Sequence, residues 1–307
     1  CATRIGAASR SASFVPSTMW FWLEKDLGYF RDEGLRPEFV HVRNSGIAMQ
    51  GMIAGNFDYI TPTGSVMDAV IRARQSFRLM FTALRVHYSL IAQPEIRSVA
   101  DLRGKTIGIA SIGSSNDLIM REILRRHGLE PLKDTALLAI SSASRDRFAA
   151  LTSGAIHATF LSTPFDFKAV EMGYRRLVKA IDYVNWPQAG LATNEVKVHR
   201  EPQEVAKMVR ASLKGLRFVL TQPEYVLSKI MQIFRLTRED AVHIYEALLE
   251  EYVPSGYLSE QEQRSAISMI RQAANITEDI PLERVFDYRF VKQVEQELKG
   301  WKPQIPR

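Results

Sequence analysis

The sequence predicts an α/β protein of two lobes, in which each lobe is a mainly parallel sheet flanked by helices. Short apolar strands alternate with amphipathic helices along the first half of the chain, which is typical of parallel sheets. The same order of elements begins again near Asp101. In addition, the 307 residues exceed the roughly 50 to 250 residues of an ordinary domain. We therefore expect two lobes joined by two crossing strands, with a helical C-terminal extension.

Turn residues set the predicted bounds of the first lobe. Residues 4–8 are predicted as a strand, and residues 16–27 as a helix that stops where Gly28 can adopt a left-handed conformation. The remaining elements predicted in this part of the chain are strands at residues 38–42, 57–60, 78–84 and 88–93 and helices at residues 45–55 and 65–74. Each of the first three strands is thus followed by a helix, as parallel pairing requires.

A second lobe is predicted where this pattern restarts. Residues 106–110 are expected to form a strand, which leads through a loop into a helix that ends at Gly128. A helix at residues 144–153, a strand at residues 156–161 and a Thr163-Pro164 break then follow in the order seen in the first lobe. This similarity of order favours two lobes of similar construction.

A single late strand predicts how the chain returns. Residues 189–193 form the last predicted strand, and nearly everything after them is predicted as helix. Two of these helices begin with capping boxes, at Thr237 to Asp240 and at Ser259 to Glu262. The crossings are expected near Gln93 and Gln188. The predicted domains are therefore residues 1–93 with 188–307 as lobe 1, and residues 94–187 as lobe 2.

Small hydroxyl residues occupy four loops that directly follow predicted strands. At the carboxyl ends of parallel strands, backbone N–H groups and helix dipoles point outward, and hydroxyl groups there can donate to a carboxylate or a sulfonate. We expect ligand contacts from Ser11, Ser13, Thr61, Thr63, Gly64, Ser111, Ser114, Ser115 and Thr163. Helix capping is the alternative role for each hydroxyl, above all for Ser114, which is followed by Asp117 at capping-box spacing.

Aromatic residues near the same loops are candidates for the wall of a small-molecule site. They are Phe14, Phe165, Tyr183 and Trp186. Trp186 is the preferred candidate because it lies beside Pro187, just before the return strand. Packing in the core is the alternative for each of the four. The cations nominated as direct partners of an anion are Arg10 and Arg145.

Three short segments resemble those of a known family. They are GYFRDEGL at residues 28–35, AGNFD at residues 54–58 and DLRGKTIG at residues 101–108. Their order and spacing resemble the nitrate, sulfonate and taurine type of ABC-importer substrate-binding protein, which has a type II periplasmic-binding fold. The resemblance covers about residues 4–220. It implies two α/β lobes joined by two crossing strands, with the ligand in the cleft between them.

The loops and the resemblance together predict a non-catalytic, extracytoplasmic solute-binding receptor of an ABC importer. The expected ligand is a small organic anion, a carboxylate or a sulfonate, with an aromatic or hydrophobic body. Capture by hinge closure is expected, and a membrane permease is the expected protein partner. The expected location is periplasmic or otherwise extracytoplasmic.

An enzyme on the same fold is the alternative. The resemblance extends to pyrimidine synthases of thiamine biosynthesis and to sulfinate desulfinases with a cysteine nucleophile. The synthases carry a cysteine-rich motif, whereas the one cysteine of this chain is Cys1, which precedes the first predicted strand. The six histidines show no metal-ligand spacing, so neither a metal nor another cofactor is expected.

Charge and cysteine content bear on partners and location. The formal net charge is +6, but basic and acidic residues are interleaved, so no nucleic-acid partner is expected. A DNA-binding regulator would also need a helix-turn-helix, for which no room is expected before the first strand. A single cysteine at position 1 is typical of a signal-cleaved lipoprotein with lipid on Cys1. The alternative is that Cys1 only marks where the sequence starts.

Overall fold

The computed structural model describes residues 3–8, 19–42, 45–141 and 143–304. The chain divides into two compact units: Cys1–Arg85 with Trp186–Arg307, and Val86–Asn185. The first crossing therefore follows Arg85 rather than lying near Gln93, because the strand predicted at residues 88–93 belongs to the sheet of the second unit. The return at Trp186 lies close to the predicted position.

Two five-stranded sheets form the frames of the two units. The strands are β1 (Arg4–Ala8), β2 (Glu38–Val42), β3 (Tyr59–Ile60), β4 (Phe77–Arg85), β5 (Ser89–Ala92), β6 (Thr106–Ile109), β7 (Ala136–Ala139), β8 (Ala158–Leu161), β9 (Arg175–Lys179) and β10 (Pro187–Asn194). The strand order is β2-β1-β3-β10-β4 in the first unit and β7-β6-β8-β5-β9 in the second.

Helices follow most of these strands and make up the C-terminal part of the chain. They are α1 (Met19–Asp26), α2 (Tyr29–Asp32), α3 (Ser45–Ile53), α4 (Thr63–Arg72), α5 (Ser115–Arg126), α6 (Ser144–Thr152), α7 (Phe165–Glu171), α8 (Glu195–Arg200), α9 (Pro202–Thr221), α10 (Pro223–Phe234), α11 (Arg238–Glu251), α12 (Glu260–Ala274), α13 (Leu282–Val285) and α14 (Arg289–Glu297). Within the described ranges, no helix combines the length and the apolar character needed to cross a membrane.

Both sheets are mixed, and in each of them one strand runs against the other four, so the sheets are mainly parallel in strand direction as predicted. In the first unit β1 pairs in parallel with β2 and β3, whereas β10 is antiparallel to β3 and β4. In the second unit β6 pairs in parallel with β7 and β8, whereas β5 is antiparallel to β8 and β9. The antiparallel strands are the ones that enter directly from a crossing. They start at the edge where the neighbouring strands end, as the pairing of Ser89 with Leu161 shows.

Two edge strands were not predicted from the sequence. β7 is largely exposed, and Leu138 within it keeps 46% of its surface accessible. β9 carries three basic residues among its five. Neither strand has a clean alternation of buried and exposed side chains, and that alternation is the signal from which strands are predicted.

The same glycine contact occurs in both units. A Cβ atom on Gly6, in the middle of β1, would lie 2.7 Å from the Phe57 ring, which packs just ahead of β3. A Cβ atom on Gly108, in β6, would lie 2.5 Å from Ile156 Cδ1, just ahead of β8. At this point in each sheet, the central parallel strand therefore needs glycine, because a side chain would collide with the neighbouring residue. The similarity of the two units, predicted from element order, extends to this packing contact.

A fully buried carboxyl group lies between α1 and α9. Glu24 has no accessible surface, and a Cβ atom on Gly215 of α9 would lie 2.3 Å from its Cγ. Burial raises the pKa of Glu24 well above its ordinary value, and the neighbouring Ser212 hydroxyl only partly opposes this. Glu24 is therefore protonated in the folded protein over a pH range in which the unfolded chain ionises it.

Substitution of Glu24 by Gln should flatten the pH dependence of stability. Between the ordinary pKa of 4.5 and the raised folded value, the folded state binds more protons, so the free energy of unfolding falls as pH rises. The slope from this group approaches about 1.4 kcal/mol per pH unit. Urea unfolding from pH 5 to pH 8 should show this loss in the wild type and not in Glu24→Gln. Glu171→Gln, on an exposed glutamate, is the control and should keep the wild-type slope. Parallel slopes for wild type and Glu24→Gln would contradict the assignment.

Candidate ligand-binding site

Part of the predicted site is outside the described residues. Ser11, Ser13, Phe14 and Arg10 lie there, as does Cys1. The other predicted residues lie in loops or in the first turns of helices at the carboxyl edges of the two sheets.

In the first unit, two of the predicted hydroxyl residues form hydrogen bonds with the return strand, β10. Thr63 is completely buried, and its hydroxyl donates to the carbonyl oxygen of Pro187 at 3.2 Å. The carbonyl oxygen of Thr61, which is 5% exposed, accepts a hydrogen bond from Gly190 N at 3.0 Å. Both threonines therefore connect the start of α4 to β10. In Thr63 this structural role uses the hydroxyl group that the sequence nominates for a ligand, whereas Thr61 bonds through its backbone carbonyl oxygen.

Trp186 packs against the first turn of α4. Its side chain is 1% exposed, and a Cβ atom on Gly64 would lie 2.3 Å from its Nε1 atom. Among the described residues, no acceptor is within hydrogen-bond distance of that buried N–H group. Gly64 is thus needed for the close approach of the indole. The ring that the sequence proposes as a ligand wall lies in the interior of the first unit.

In the second unit, the loop after β6 is organised by helix capping. Ser114 Oγ donates to Ser111 O at 2.7 Å and accepts from Asp117 N at 3.4 Å, which is the alternative role foreseen for it. The Asp117 carboxylate accepts from Gly113 N at 2.8 Å. Ser111 is exposed and Ser115 half-buried at the N-terminus of α5. Ser114 is therefore occupied, while the other two predicted serines remain accessible.

One side chain in this loop was missed by sequence reasoning. Asn116 is 3% exposed, and its Oδ1 atom accepts from Ala110 N at 3.1 Å. Within the described ranges its Nδ2 group has no partner. An asparagine in the first turn of a helix is ordinarily read as a capping residue, so nothing in the sequence distinguishes it.

The loop after β8 holds Thr163 and Phe165, both half-buried. The Phe165 ring packs 5.6 Å from that of Phe148, so part of it belongs to the core of the second unit. Asp166 follows and is 5% exposed, and it accepts from Ser89 Oγ at 3.0 Å and pairs with Arg176 at 3.4 Å. Burial raises the pKa of Asp166, and the Arg176 charge and the Ser89 hydrogen bond oppose the shift. The Asp166 carboxylate thus links α7 to β5 through Ser89 and to β9 through Arg176.

Tyr183 and Arg145 are engaged elsewhere. The Tyr183 hydroxyl is 2.8 Å from His127 Nε2, at the end of α5. Arg145 has 77% of its side chain exposed, and its Nε atom is 3.6 Å from Asp146. The structure therefore brings neither of these predicted side chains into contact with the loops after β6 and β8 through a described hydrogen bond.

The cation at these strand ends is Arg147, which sequence reasoning passed over. Its side chain is 1% exposed, and its Nε donates to Phe160 O at 3.0 Å. The two Nη groups donate to Ser141 O and to Ser144 Oγ. A signal was available, because Arg147 precedes the buried Leu151 by one helical turn and so shares its inward face.

The loops of the second unit can therefore recognise hydrogen-bond acceptors. They combine the N-terminus of α5, accessible hydroxyl groups and a buried guanidinium group, which together favour oxyanions. Within the described part of the chain, no cluster of three or more histidine, cysteine, aspartate or glutamate residues is arranged to hold a metal ion.

Gly64→Ala should destabilise the first unit through collision with Trp186. A Cβ atom 2.3 Å from Nε1 forces the indole or α4 to move, which costs about 1 to 3 kcal/mol. Trp186→Phe removes the colliding atoms, so the double variant should be more stable than the sum of the single effects implies. Urea unfolding of the four proteins measures this coupling. Ser65→Ala on the same helix is the control. Additive effects of Gly64→Ala and Trp186→Phe would show that the contact is not formed.

Comparisons with known proteins identify the family and the fold. A family model described as NMT1/THI5 like matches residues 16–226. The riboflavin-binding protein RibY of Chloroflexus aurantiacus is 20% identical over 303 residues, which cover 91% of this chain and 84% of that protein.

Two solved structures share the fold. The first is the periplasmic sulfonate-binding protein SsuA of a sulfonate ABC transporter from Methylobacillus flagellatus, with a TM-score of 0.77 at 16% identity, covering 100% of this chain and 98% of that one. The second is the desulfurization enzyme DszB, with a TM-score of 0.67 at 15% identity, covering 96% of this chain and 99% of that one. The resemblance found in the sequence is thereby confirmed. The chain belongs to the NMT1/THI5-like family and has the fold of the periplasmic binding proteins.

Proposed function

We propose that this protein is the extracytoplasmic solute-binding receptor of an ABC importer and that its ligand is a small organic anion, a carboxylate or a sulfonate. The observation that carries the proposal is the donor-rich edge of the second unit. There, the N-terminus of α5 and the hydroxyl groups of two loops accompany the buried Arg147 guanidinium. These groups donate hydrogen bonds and favour negative charge.

The comparisons support the same class of function. A sulfonate-binding protein of an ABC transporter shares the fold over the whole chain, and RibY is named for binding riboflavin. Both names describe capture of a small molecule rather than its conversion. A periplasmic location and a membrane permease as partner follow from this proposal.

The ligand body is proposed to be aromatic or otherwise apolar. Ile112, between Ser111 and Gly113, keeps 74% of its surface exposed in the loop after β6. The half-buried Phe165 lies in the loop after β8. Apolar surface beside hydrogen-bond donors suits an anion with a hydrophobic body.

An enzyme on the same fold is the alternative, and the similarity to DszB is the observation in its favour. The sequence contains a single cysteine, Cys1, which lies before β1. Cysteine-based chemistry of the desulfinase kind therefore has no candidate nucleophile within the fold. Sulfite release from biphenyl-2-sulfinate by the purified protein would favour the enzyme over the receptor.

A thermal-shift screen tests the proposed ligand class. Ethanesulfonate, MOPS and benzoate should be compared with ethanesulfonamide and benzamide, which keep the body of the ligand and lose the charge, and with riboflavin, which is also uncharged. An anion present at about 100 times its Kd adds about 2.7 kcal/mol of stability, and we expect a rise in Tm of about 5 °C or more. Shifts produced only by neutral or cationic compounds would contradict an anionic ligand.

We also propose that ligand binding draws the two units together by a hinge motion. Each unit carries its own sheet and core, and the chain passes between them after Arg85 and before Trp186. Small-angle scattering should therefore show a smaller radius of gyration with the binding anion than without it. The matching uncharged amide is the control. An unchanged radius at saturating anion would contradict closure while leaving binding itself intact.

A further inference from the structure

Three hydrogen bonds converge on the hydroxyl oxygen of Ser144, at the N-terminus of α6. Arg147 Nη2 donates to it at 3.3 Å, and the backbone N–H of Ser162 donates to it at 3.1 Å. The third partner is the hydroxyl oxygen of Ser162, at 2.9 Å. The distances do not say which of the two hydroxyl groups donates in this last bond.

The chemistry of the other two partners decides it. A serine hydroxyl has two lone pairs and one hydrogen. The guanidinium and the amide N–H can only donate, so together they occupy both lone pairs of Ser144 Oγ. The hydrogen of Ser144 is then left for the third bond and must point at Ser162. Ser162 Oγ is the acceptor, and its own hydrogen is directed away from Ser144.

Arg147 holds this arrangement in place. Its guanidinium is buried and is also bound to Phe160 O, at 3.0 Å, and to Ser141 O, so it cannot turn away from Ser144. A positively charged donor polarises the hydroxyl that accepts from it, and this strengthens the next bond in the chain. The chain of hydrogen bonds runs from Arg147 through Ser144 to Ser162. It ends at the O–H group of Ser162, which points away from Ser144.

Ser162 lies where a ligand can use that group. It directly follows β8, at the carboxyl edge of the second sheet, and it is half-buried rather than enclosed. Among the residues that the structure describes, Ser144 is the hydrogen-bonding partner of the Ser162 side chain. A partly accessible donor whose direction is imposed by its neighbours needs an acceptor from outside this network.

We propose that Ser162 binds the ligand by donating its hydroxyl hydrogen to an acceptor oxygen, and that Arg147, acting through Ser144, is the positioning residue for this donor. The proposal rests on the proposed function and makes it more specific. Because the bond from Ser144 leaves the hydrogen of Ser162 for the ligand, Ser162 can donate to a carboxylate or sulfonate oxygen. Of the two hydroxyl residues that directly follow β8, Thr163 was the one predicted as a ligand contact.

Calorimetric titration with ethanesulfonate, MOPS and benzoate tests the contact. Ser162→Ala should raise the Kd of the binding anion about tenfold or more, since a hydrogen bond to a charged acceptor is lost. Ser153→Ala, a serine at the other end of α6 whose hydroxyl bonds to Ala150 O, is the control and should bind as the wild type does. Equal affinity of Ser162→Ala and the wild type would overturn the assignment of Ser162.

A matched pair of variants tests the positioning role. Ser144→Thr keeps the hydroxyl group. Ser144→Val gives a side chain of nearly the same shape as threonine but without the hydroxyl group. If Ser144 acts through hydrogen bonding, the threonine variant should keep an affinity close to that of the wild type, and the valine variant should bind about threefold to tenfold more weakly. Equal losses in both variants would indicate a packing effect and would overturn the relay. Arg147 itself is left unchanged because its removal threatens folding.

Neutron diffraction from the perdeuterated protein tests the direction without a ligand. The deuterium on Ser144 Oγ should point at Ser162, and the deuterium on Ser162 should point away from Ser144. The opposite orientation would overturn the inference whatever the protein binds. If the wild type bound none of the three anions, the proposed function would fail, and the neutron result would still decide whether Ser162 presents a directed donor.

Discussion

The insertion of β10 between β3 and β4 is the constraint on which the rest of the first unit depends. This strand comes from the far side of the second unit in sequence, yet it pairs with both neighbours, and it reaches β4 only because residue 190 is glycine. A Cβ atom there would lie 2.0 Å from Phe81 O. The same insertion fixes the start of α4, through Thr63 and Gly64, and therefore sets where the loop after β3 lies.

The two units share a framework but use their strand-end hydroxyl groups differently. In the first unit, Thr61 and Thr63 are tied to β10, and the Trp186 indole fills the space beside them. In the second unit, the hydroxyl of Ser144 is tied to Arg147 and so leaves Ser162 as a directed donor. In the second unit these hydroxyl groups are accompanied by the buried cation Arg147. A guanidinium that is held among carbonyl and hydroxyl oxygens orients those hydroxyl groups and adds positive potential at the sheet edge.

Much of the frame could be predicted from the sequence, because its signals are local. The bounds of β1 and β2, the left-handed Gly28 and the capping boxes that begin α11 and α12 were all found from residues a few positions apart. The capping role of Ser114 was foreseen for the same reason. The site was predicted less completely. The strand-end loops were identified, but Asn116, Arg147 and Ser162 were not chosen within or beside them.

By itself, the sequence determined the family, the alternation of strands and helices and the division into two lobes. Only the tertiary structure decided that β5 and β10 run antiparallel to their neighbours, that Trp186 packs on Gly64, and that the buried cation is Arg147 rather than Arg145. Local patterns report what a residue prefers within about one helical turn. Strand direction, burial and the partner of a hydroxyl group depend on residues far away in the chain, which no short segment of sequence contains.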